Sequence, residues 1–442
     1  KAKKKTGNQN LTISDLRQDE DVLDTWFSSW LWPISVFDGI RNPHNDDIKY
    51  YYPTNVLVTA PEILFFWVAR MIIAGYEYRG EKPFETVYLH GIVRDGQRRK
   101  MSKSLGNSPD PLDLVKKYGA DGMRMGMLLC SAAGNDLLFD ESLPEQGRNF
   151  CNKIWNAFRL VQGWEVSSDI PQPNHSAVAV NWLNNLINHK VDVLNDYFEK
   201  YRLSEALMEV YKLFWDEFSS WFLEIVKPAY QQPIDSKTKE QVLEIFDKML
   251  RLLHPFMPFI TEELWQLIAV RKPGASIMVV PQPQENPFDD GVLTRFAEMK
   301  EIVAGIRNVR QEKNIPNKEL LPLLIKSSKK LSPQLEGVII KLAGIESLRY
   351  TEEPAEGSAG FLVGSMEFFI PLHGFVNEDE EIKKLQQELE YGKGFLASVM
   401  KKLNNERFVN NAPAKVVEIE QNKKADAESK IKVIEERIAG MK

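Results

Sequence analysis

Two short β-rich runs, VLVTA at 56–60 and TVYLHGIV at 86–93, carry apolar residues on both faces. A strand of that kind has to be covered on both sides, which is the demand of a parallel strand buried between helices. Between them the chain reads as helix from Glu62 to Tyr76, broken at YRGEK, Tyr78 to Lys82. Strand, helix and strand in that order form a βαβ crossover, so this region is predicted to belong to a doubly wound α/β sheet. Sheets of that class bind ligands beyond the carboxyl ends of their strands. The residues that follow position 93 are therefore the first place to look for chemistry.

Those residues are RRKMSKSLGN, 98–107. A lysine ammonium on its flexible stem is a point charge suited to crowded phosphate oxygens. Placed where negative charge develops on a transferring phosphorus, it lowers the barrier electrostatically. Lys100 and Lys103 on one polar loop, directly after a buried strand, point to a nucleoside triphosphate. Gly96 and Gly106 are expected to let the loop close on a ligand and reopen. A Pro-Asp-Pro turn follows, then a helix from about Leu112 and the segment GADGMRMGMLL, where Asp121 is expected to cap a second helix.

From Arg148 to about Gln266 the pattern becomes long helical periodicity rich in Trp, Phe and Leu, predicting a bundle of four or five helices. Trp155, Trp164, Trp182, Trp215, Trp221 and Trp265 fall mostly at helical spacing and are expected in its core. The Pro-rich stretch VVPQPQENP, Val279 to Pro287, ends it. A helix around Thr294 to Lys313 and strand-like LLPLLIK (Leu320 to Lys326) and MEFFIPL (Met366 to Leu372) suggest a small mixed α/β region.

In the tail, Ile382, Leu385, Leu389, Leu396, Val399 and Leu403 fall at alternating a and d positions, with Gly392 spoiling one layer. Val417, Ile431, Ile434 and Ile438 resume the seam after the turn-like NNERFVNNAP, predicting an antiparallel helical hairpin closed on itself. Its outward cations are Lys393, Lys401, Lys402, Arg407 and Lys415. The expected divisions are thus 1–147, 148–290, 291–376 and 377–442.

With a net charge of −6, contact with nucleic acid would have to come from local basic patches. Cys130 and Cys151 are too few for a disulfide framework or a cysteine zinc site, which suits a reducing compartment and predicts a cytoplasmic protein. The apolar stretch Ile63 to Ala69 is cut by Arg70, short of the roughly 20 residues a membrane span needs. The chain opens KAKKKTGNQN, without an initiating Met or a signal peptide's apolar core, and is expected to be a piece of a longer protein.

KMSKS at 100–104 resembles the signature loop of class I aminoacyl-tRNA synthetases. The likeness to their valine-specific branch extends, in order, through DEDVLDTWFSSWLWP (Asp19 to Pro33), PEILFFWVARMIIAGYEYRG (Pro61 to Gly80), YLHGIVRDGQRRKMSKSLGN (Tyr88 to Asn107) and YGADGMRMGML (Tyr118 to Leu128). It continues in RNFCNKIWNAFR (Arg148 to Arg159), HPFMPFITEELWQ (His254 to Gln266), IRNVRQEKNIP (Ile306 to Pro316) and KKLNNERFVNNAPAKVV (Lys401 to Val417). This resemblance implies the C-terminal part of a Rossmann-type nucleotide-binding domain, a helical anticodon-binding domain, the small α/β region and a coiled-coil tRNA-binding arm.

The activity it implies is activation of valine with ATP and Mg²⁺ to valyl-adenylate, followed by transfer to tRNA(Val). Carried over by position, Lys100 and Lys103 stabilise the triphosphate, with Met101, Ser102 and Ser104 supporting the ATP site. His90 and Gly91 lie near the adenine. Trp26, Ile63 and Trp67 wall the amino-acid pocket, a tight apolar cavity that excludes a longer side chain. Glu62 sits near the ribose and the substrate ammonium, although the family pattern is Gly-x-Asp where this chain has Ala60-Pro61-Glu62. Lys153, Arg159, Lys401, Lys402 and Arg407 are the candidate tRNA contacts.

The resemblance further implies a monomer without protein-bound zinc. The family's His-Ile-Gly-His run and its editing insert have no counterpart here, so the implied partner is a missing N-terminal half, and the chain alone is expected to be inactive. An isoleucyl-type enzyme is the neighbouring reading. The hairpin arm and the lack of a C-terminal cysteine zinc site weigh against it. A non-catalytic tRNA-binding module is the reading outside enzymes.

Overall fold

The computed structural model describes residues 1–131, 134–328, 330–353, 357–372 and 378–404, with 421, 423, 424, 427, 428, 431 and 435 beyond them. Two compact units result, Lys1–Asp289 and Asp290–Lys442.

In the first unit, β1 (Thr54–Thr59) and β2 (Phe84–Leu89) run parallel, with Val56 opposite Thr86 and Val58 opposite Tyr88. Their connection is a π-type turn, Leu64–Val68, that continues as α1 (Ala69–Arg79). Gly80 ends α1 in the left-handed conformation at φ 78°, which glycine adopts without strain. Leu57, Val68, Met71 and Phe84 are buried together and hold the crossover on one face of the strands.

The other face departs from expectation. Leu57 and Thr59 are 5% and 3% exposed, whereas Val56 and Val58 are 36% and 59% exposed. A period of two puts Val56 and Val58 on the side away from α1, and among the described residues that side is left open. β2 also stops earlier than position 93. After His90 donates its backbone N–H to Thr59 O (3.0 Å), the chain turns, and the separate short strand β3 (Val93–Arg94) pairs in parallel with β4 (Leu137–Leu138).

α2 (Pro111–Tyr118) begins where expected, with Asp110 accepting from the Leu112 N–H at 2.8 Å and proline in the first turn. α3 (Ala120–Leu129) and α4 (Ser142–Gln162) follow, and α4 runs unbroken through residue 148, where the first division was expected. The two helices cross at backbone contact. A Cβ on Gly147 would lie 2.2 Å from Gly122 O, and one on Gly126 would lie 2.5 Å from Leu143 C and O. Gly147→Ala is therefore expected to cost about 1–3 kcal/mol through overpacking, read as a lowered thermal midpoint of this chain. An unchanged midpoint would show that the helices can part freely.

Asp121 corrects another expectation. It sits in the first turn of α3, but its carboxylate accepts from Phe259 N (3.4 Å) and Ile260 N (2.6 Å), so it caps a helix about 138 residues away. Arg124, one turn on, donates to Phe256 O (3.1 Å) and Pro255 O (3.3 Å). Together they clamp α3 to the HPFMPF turn.

The bundle has five helices, within the four or five that the periodicity predicts. They are α4, α5 (Asn174–Glu199), α6 (Leu203–Lys212, a π-type stretch Leu213–Phe222, then Leu223–Val226), α7 (Ser236–Leu253) and α8 (Pro258–Ile268). Phe150, Phe214, Phe218, Phe222 and Phe246 fill its centre. A short parallel pair, β5 (Val166–Ser167) with β6 (Ile234–Asp235), went unforeseen.

The second unit carries α9 (Asp290–Glu312), β7 (Leu321–Lys326), α10 (Pro333–Ala343), β8 (Ile345–Tyr350), β9 (Ser358–Val363) and β10 (Met366–Pro371). Its sheet runs in the order β8-β7-β10-β9, parallel only between β7 and β8. Alternate residues Leu321, Leu323, Ile325, Met366, Phe368 and Ile370 are buried.

α11 (Glu378–Leu403) opens the tail. Val399, Ala427 and Ile431 are buried, Lys393 pairs with Glu435 at 2.6 Å, and Ile431 packs where a Gly392 side chain would sit. Gly392 thus makes room for a partner residue instead of leaving an empty layer. The expected turn and Val417, Ile434 and Ile438 lie outside the described residues, as do the side chains of Ile382 and Leu385. Among the described residues no helix is long and apolar enough to cross a membrane.

Candidate active site

The carboxyl ends of β1 and β2 meet at the backbone bond between Thr59 and His90, and the lysine loop lies beyond them. Lys100 Nζ is 2.7 Å from Glu62 Oε2, joining the loop to the turn that precedes α1. Glu62 therefore neutralises a loop lysine, and it is absent from the walls of the neighbouring cleft. Lys103 opens a single 3₁₀ turn, Lys103–Leu105, in which Ser102 Oγ accepts from Leu105 N at 3.3 Å. Lys103 is exposed and forms no ion pair among the described residues. Ser102 Oγ and Ser104 Oγ lie 3.1 Å apart, supporting the turn. Met101 is half-buried.

The residue after Glu62 opens onto a different surface. Ile63, Trp26, Ser29, Trp32 and Trp67 line an open cleft of about 440 Å³. Asp24 starts this wall by accepting from Phe27 N at 2.7 Å, which caps the short helix Thr25–Ser29. Trp67 Nε1 donates to Ser29 O at 3.0 Å, and the rings of Trp32 and Trp67 are 5.8 Å apart. The three pocket residues expected from the sequence are thus brought together, with Trp32 and Ser29 added. Spacing could have found these two, because positions 26, 29 and 32 recur every three residues on one helical face. The tight cavity that was expected is an open cleft instead, lined only by residues of the 26–32 segment and by Ile63 and Trp67 of the turn before α1.

His90 is exposed, with Nδ1 2.9 Å from Gly91 O. Gly91 has a packing role: a Cβ there would stand 1.6 Å from Asn135 O. The absence of that side chain lets 134–138 cross the end of β2 and supply β4. Asp136 pairs closely with Arg94 and accepts from Ile92 N at 3.0 Å, and these contacts, Arg94 foremost, hold its carboxyl below the usual range. Asp95 is held far lower, first by the Asn107 side chain and then by Arg99 and Gln97. Sequence reasoning missed Arg94, Asp95, Asn107 and Asp136. The Asp-Gly step at 95–96 and the Asn after Gly106 are turn chemistry that could have drawn attention to two of them.

The candidate RNA contacts are scattered. Lys153 lies over the Trp215 ring at 5.0 Å, while Arg159 is exposed on α4. Lys401 and Lys402 are exposed near the end of α11, and Arg407 and Lys415 lie outside the described residues. Trp182 and Trp265 are core as expected, at 2% and 4% exposed, but Trp155 is 38% exposed. Among the described residues no group of three His, Cys, Asp or Glu is arranged to hold a metal ion.

Three family profiles match the chain: "tRNA synthetases class I (I, L, M and V)" over 1–140, "Anticodon-binding domain of tRNA ligase" over 180–325 and "Valyl tRNA synthetase tRNA binding arm" over 378–442. Valine--tRNA ligase of Parabacteroides distasonis is 61% identical over 440 residues, covering 100% of this chain and 50% of that protein. The chain belongs to the valine--tRNA ligase family of class I aminoacyl-tRNA synthetases. The relative from Porphyromonas gingivalis is 58% identical over 99% of this family member and 50% of its own length. The chain thus spans about half the length of the curated relatives it matches. Among solved structures, the Agrobacterium radiobacter K84 agnB2 LeuRS-tRNA-LeuAMS complex aligns over 71% of this synthetase chain and 36% of that one, at 18% identity and TM-score 0.45.

Proposed function

We propose that this chain is the C-terminal half of an enzyme that activates valine with MgATP and transfers it to tRNA(Val) in the cytoplasm. The observation that carries the reading is the adjacency of Glu62 and Ile63. One holds Lys100 of the lysine loop, and the next lines the tryptophan cleft. A triphosphate held by Lys100 and Lys103 and an apolar amino-acid side chain seated on Trp26, Ile63 and Trp67 would then meet at the end of β1.

The residues present fit such a substrate. Two exposed ammonium groups suit phosphate oxygens, and Mg²⁺ enters with the triphosphate as part of the substrate. Lys103, which has no competing carboxylate among the described residues, supplies positive charge to the phosphates as their negative charge accumulates. Lys100 must exchange Glu62 for phosphate, and that exchange frees the Glu62 carboxylate for an ammonium or hydroxyl donor of the bound substrates. Transfer requires the second substrate, for which Arg159, Lys401 and Lys402 are the proposed phosphate contacts and Arg407 a further one.

The uncovered strand face at Val56 and Val58 supports a missing half of the sheet. Pyrophosphate exchange tests the proposal. The chain alone is expected to remain at background, and valine-dependent exchange is expected once the N-terminal half is joined to it. Turnover by the chain alone would overturn the split-sheet reading, and exchange driven by isoleucine instead would overturn the choice of amino acid.

A further inference from the structure

Gly96 and Gly106 are where glycine freedom would place hinges in the lysine loop, yet two side chains cross-link the segment between and beyond them. Asp95 Oδ1 accepts from Gln97 N (3.0 Å) and Arg99 N (2.9 Å). Its Oδ2 accepts from Arg99 Nε (2.8 Å) and from Asn107 Nδ2 (3.0 Å). Asn107 completes the lock, with Oδ1 accepting from Ser102 N at 2.9 Å and Nδ2 reaching Lys100 O at 3.3 Å. The backbone adds Asp95 N to Arg99 O (3.0 Å) and Arg98 N to Asp95 O (2.8 Å). The Asp95 side chain is only 13% exposed although its neighbours 96–100 are all exposed.

We propose that Asp95 and Asn107 are positioning residues that staple 95–107 into one rigid lobe, so that Lys100 and Lys103 keep a fixed spacing and move together. The N-terminal flank is held by the β3–β4 pairing and the Arg94–Asp136 pair, so motion of the loop occurs at its C-terminal flank, near Ser108–Pro109. The glycines shape the turns, Gly106 at φ 64°, without acting as joints. A pair of phosphate-binding charges on one rigid lobe arrives already spaced, which lowers the ordering cost of closing on the substrate. The functional part of this inference rests on the nucleotide reading above; the staple itself does not.

Limited trypsin digestion of this chain tests the staple, because Arg98, Arg99, Lys100 and Lys103 are all within it. Loss of a net hydrogen bond corresponds to about fivefold more open loop, and cleavage follows the open population. Asn107→Ala is expected to speed cutting at these four sites about fivefold or more while cuts elsewhere keep their rates. Asn107→Asp sets carboxylate against carboxylate and is expected to be cut faster still. Adding Asp95→Asn restores a donor facing an acceptor and should slow cutting below that of Asn107→Asp alone. Cleavage of Asn107→Ala at the wild-type rate, or failure of the swap to slow it, would overturn the staple.

In the intact enzyme, Asn107→Ala is expected to lower exchange kcat about tenfold or more, at an unchanged KM for ATP, with no further loss when Lys103 is already alanine. Multiplying losses would show that Asn107 does not act through the lysine lobe. If trypsin responds as expected but Lys103→Ala leaves exchange intact, the staple stands and the nucleotide reading falls.

Discussion

Changing Lys103 to alanine is expected to cut valine-dependent pyrophosphate exchange in the intact enzyme about 10²–10³-fold, with little change in KM for ATP. The magnitude is that of removing one preorganised group aimed at charge that develops in the transition state. Equal loss in kcat and kcat/KM is the mark of an interaction made only there. Lys103 suits that role because its ammonium is exposed and engaged by no carboxylate among the described residues. Lys100 differs: it is paired with Glu62, and in the proposed role it must give up that partner before serving phosphate, so Lys100→Ala should cost less than Lys103→Ala. Lys103→Arg should recover only part of the rate, since a planar fork does not replace a point charge among crowded oxygens. Steady-state exchange at saturating valine checks all three. A Lys103→Ala enzyme within threefold of wild type would remove the loop from the chemistry.

How much of this was legible depended on the range of the signal. The βαβ crossover was readable because Gly80 and the apolar runs speak through local periodicity and turn chemistry. The pocket triad came from likeness, and the structure joins Trp26, Ile63 and Trp67 in one cleft. What escaped has a physical cause in each case. β3 and β4 have two residues each and no period to detect. Asp121 satisfies the capping rule at its own helix on paper, but capping is a hydrogen-bond demand that any nearby helix end can make, and α8 makes it through the fold. Exposed Val56 and Val58 read as buried because an apolar sequence states what must be covered and is silent on whether the same chain covers it. The cross-links inside the lysine loop escaped because Asp95 and Asn107 meet through side chains 12 positions apart.

The second large effect lies in the other unit and concerns stability. Arg310 is 5% exposed, and its guanidinium is surrounded by four backbone carbonyls. Nε and Nη2 donate to Ala343 O at 3.2 and 3.0 Å, and Nη2 also reaches Gly344 O at 2.9 Å and Glu319 O at 2.8 Å. Nη1 donates to Pro316 O at 3.0 Å. Ala343 is the last residue of α10 and Gly344 its left-handed cap at φ 62°. The cation therefore sits on the negative end of a helix dipole and satisfies carbonyls the helix leaves unpaired. Burial pulls the guanidinium's pKa down and the Glu319 carboxylate pulls it up, yet arginine stays protonated in either case.

Arg310→Met keeps much of the volume and removes every donor. Gly344 O keeps Leu321 N and Pro316 O keeps Glu319 N, whereas Ala343 O and Glu319 O lose their donor at about 1–3 kcal/mol each, so a loss of about 3 kcal/mol or more is expected for this unit. Arg310→Lys should recover little, because one ammonium cannot span a loop and a helix end. Urea unfolding followed by a probe in Asp290–Lys442 reads the loss as a lower midpoint at constant slope. An Arg310→Met midpoint equal to wild type would mean that water can enter and take over the carbonyls of Ala343 and Glu319, and the buried cation would then owe its place to something other than holding α10 to the loop before β7.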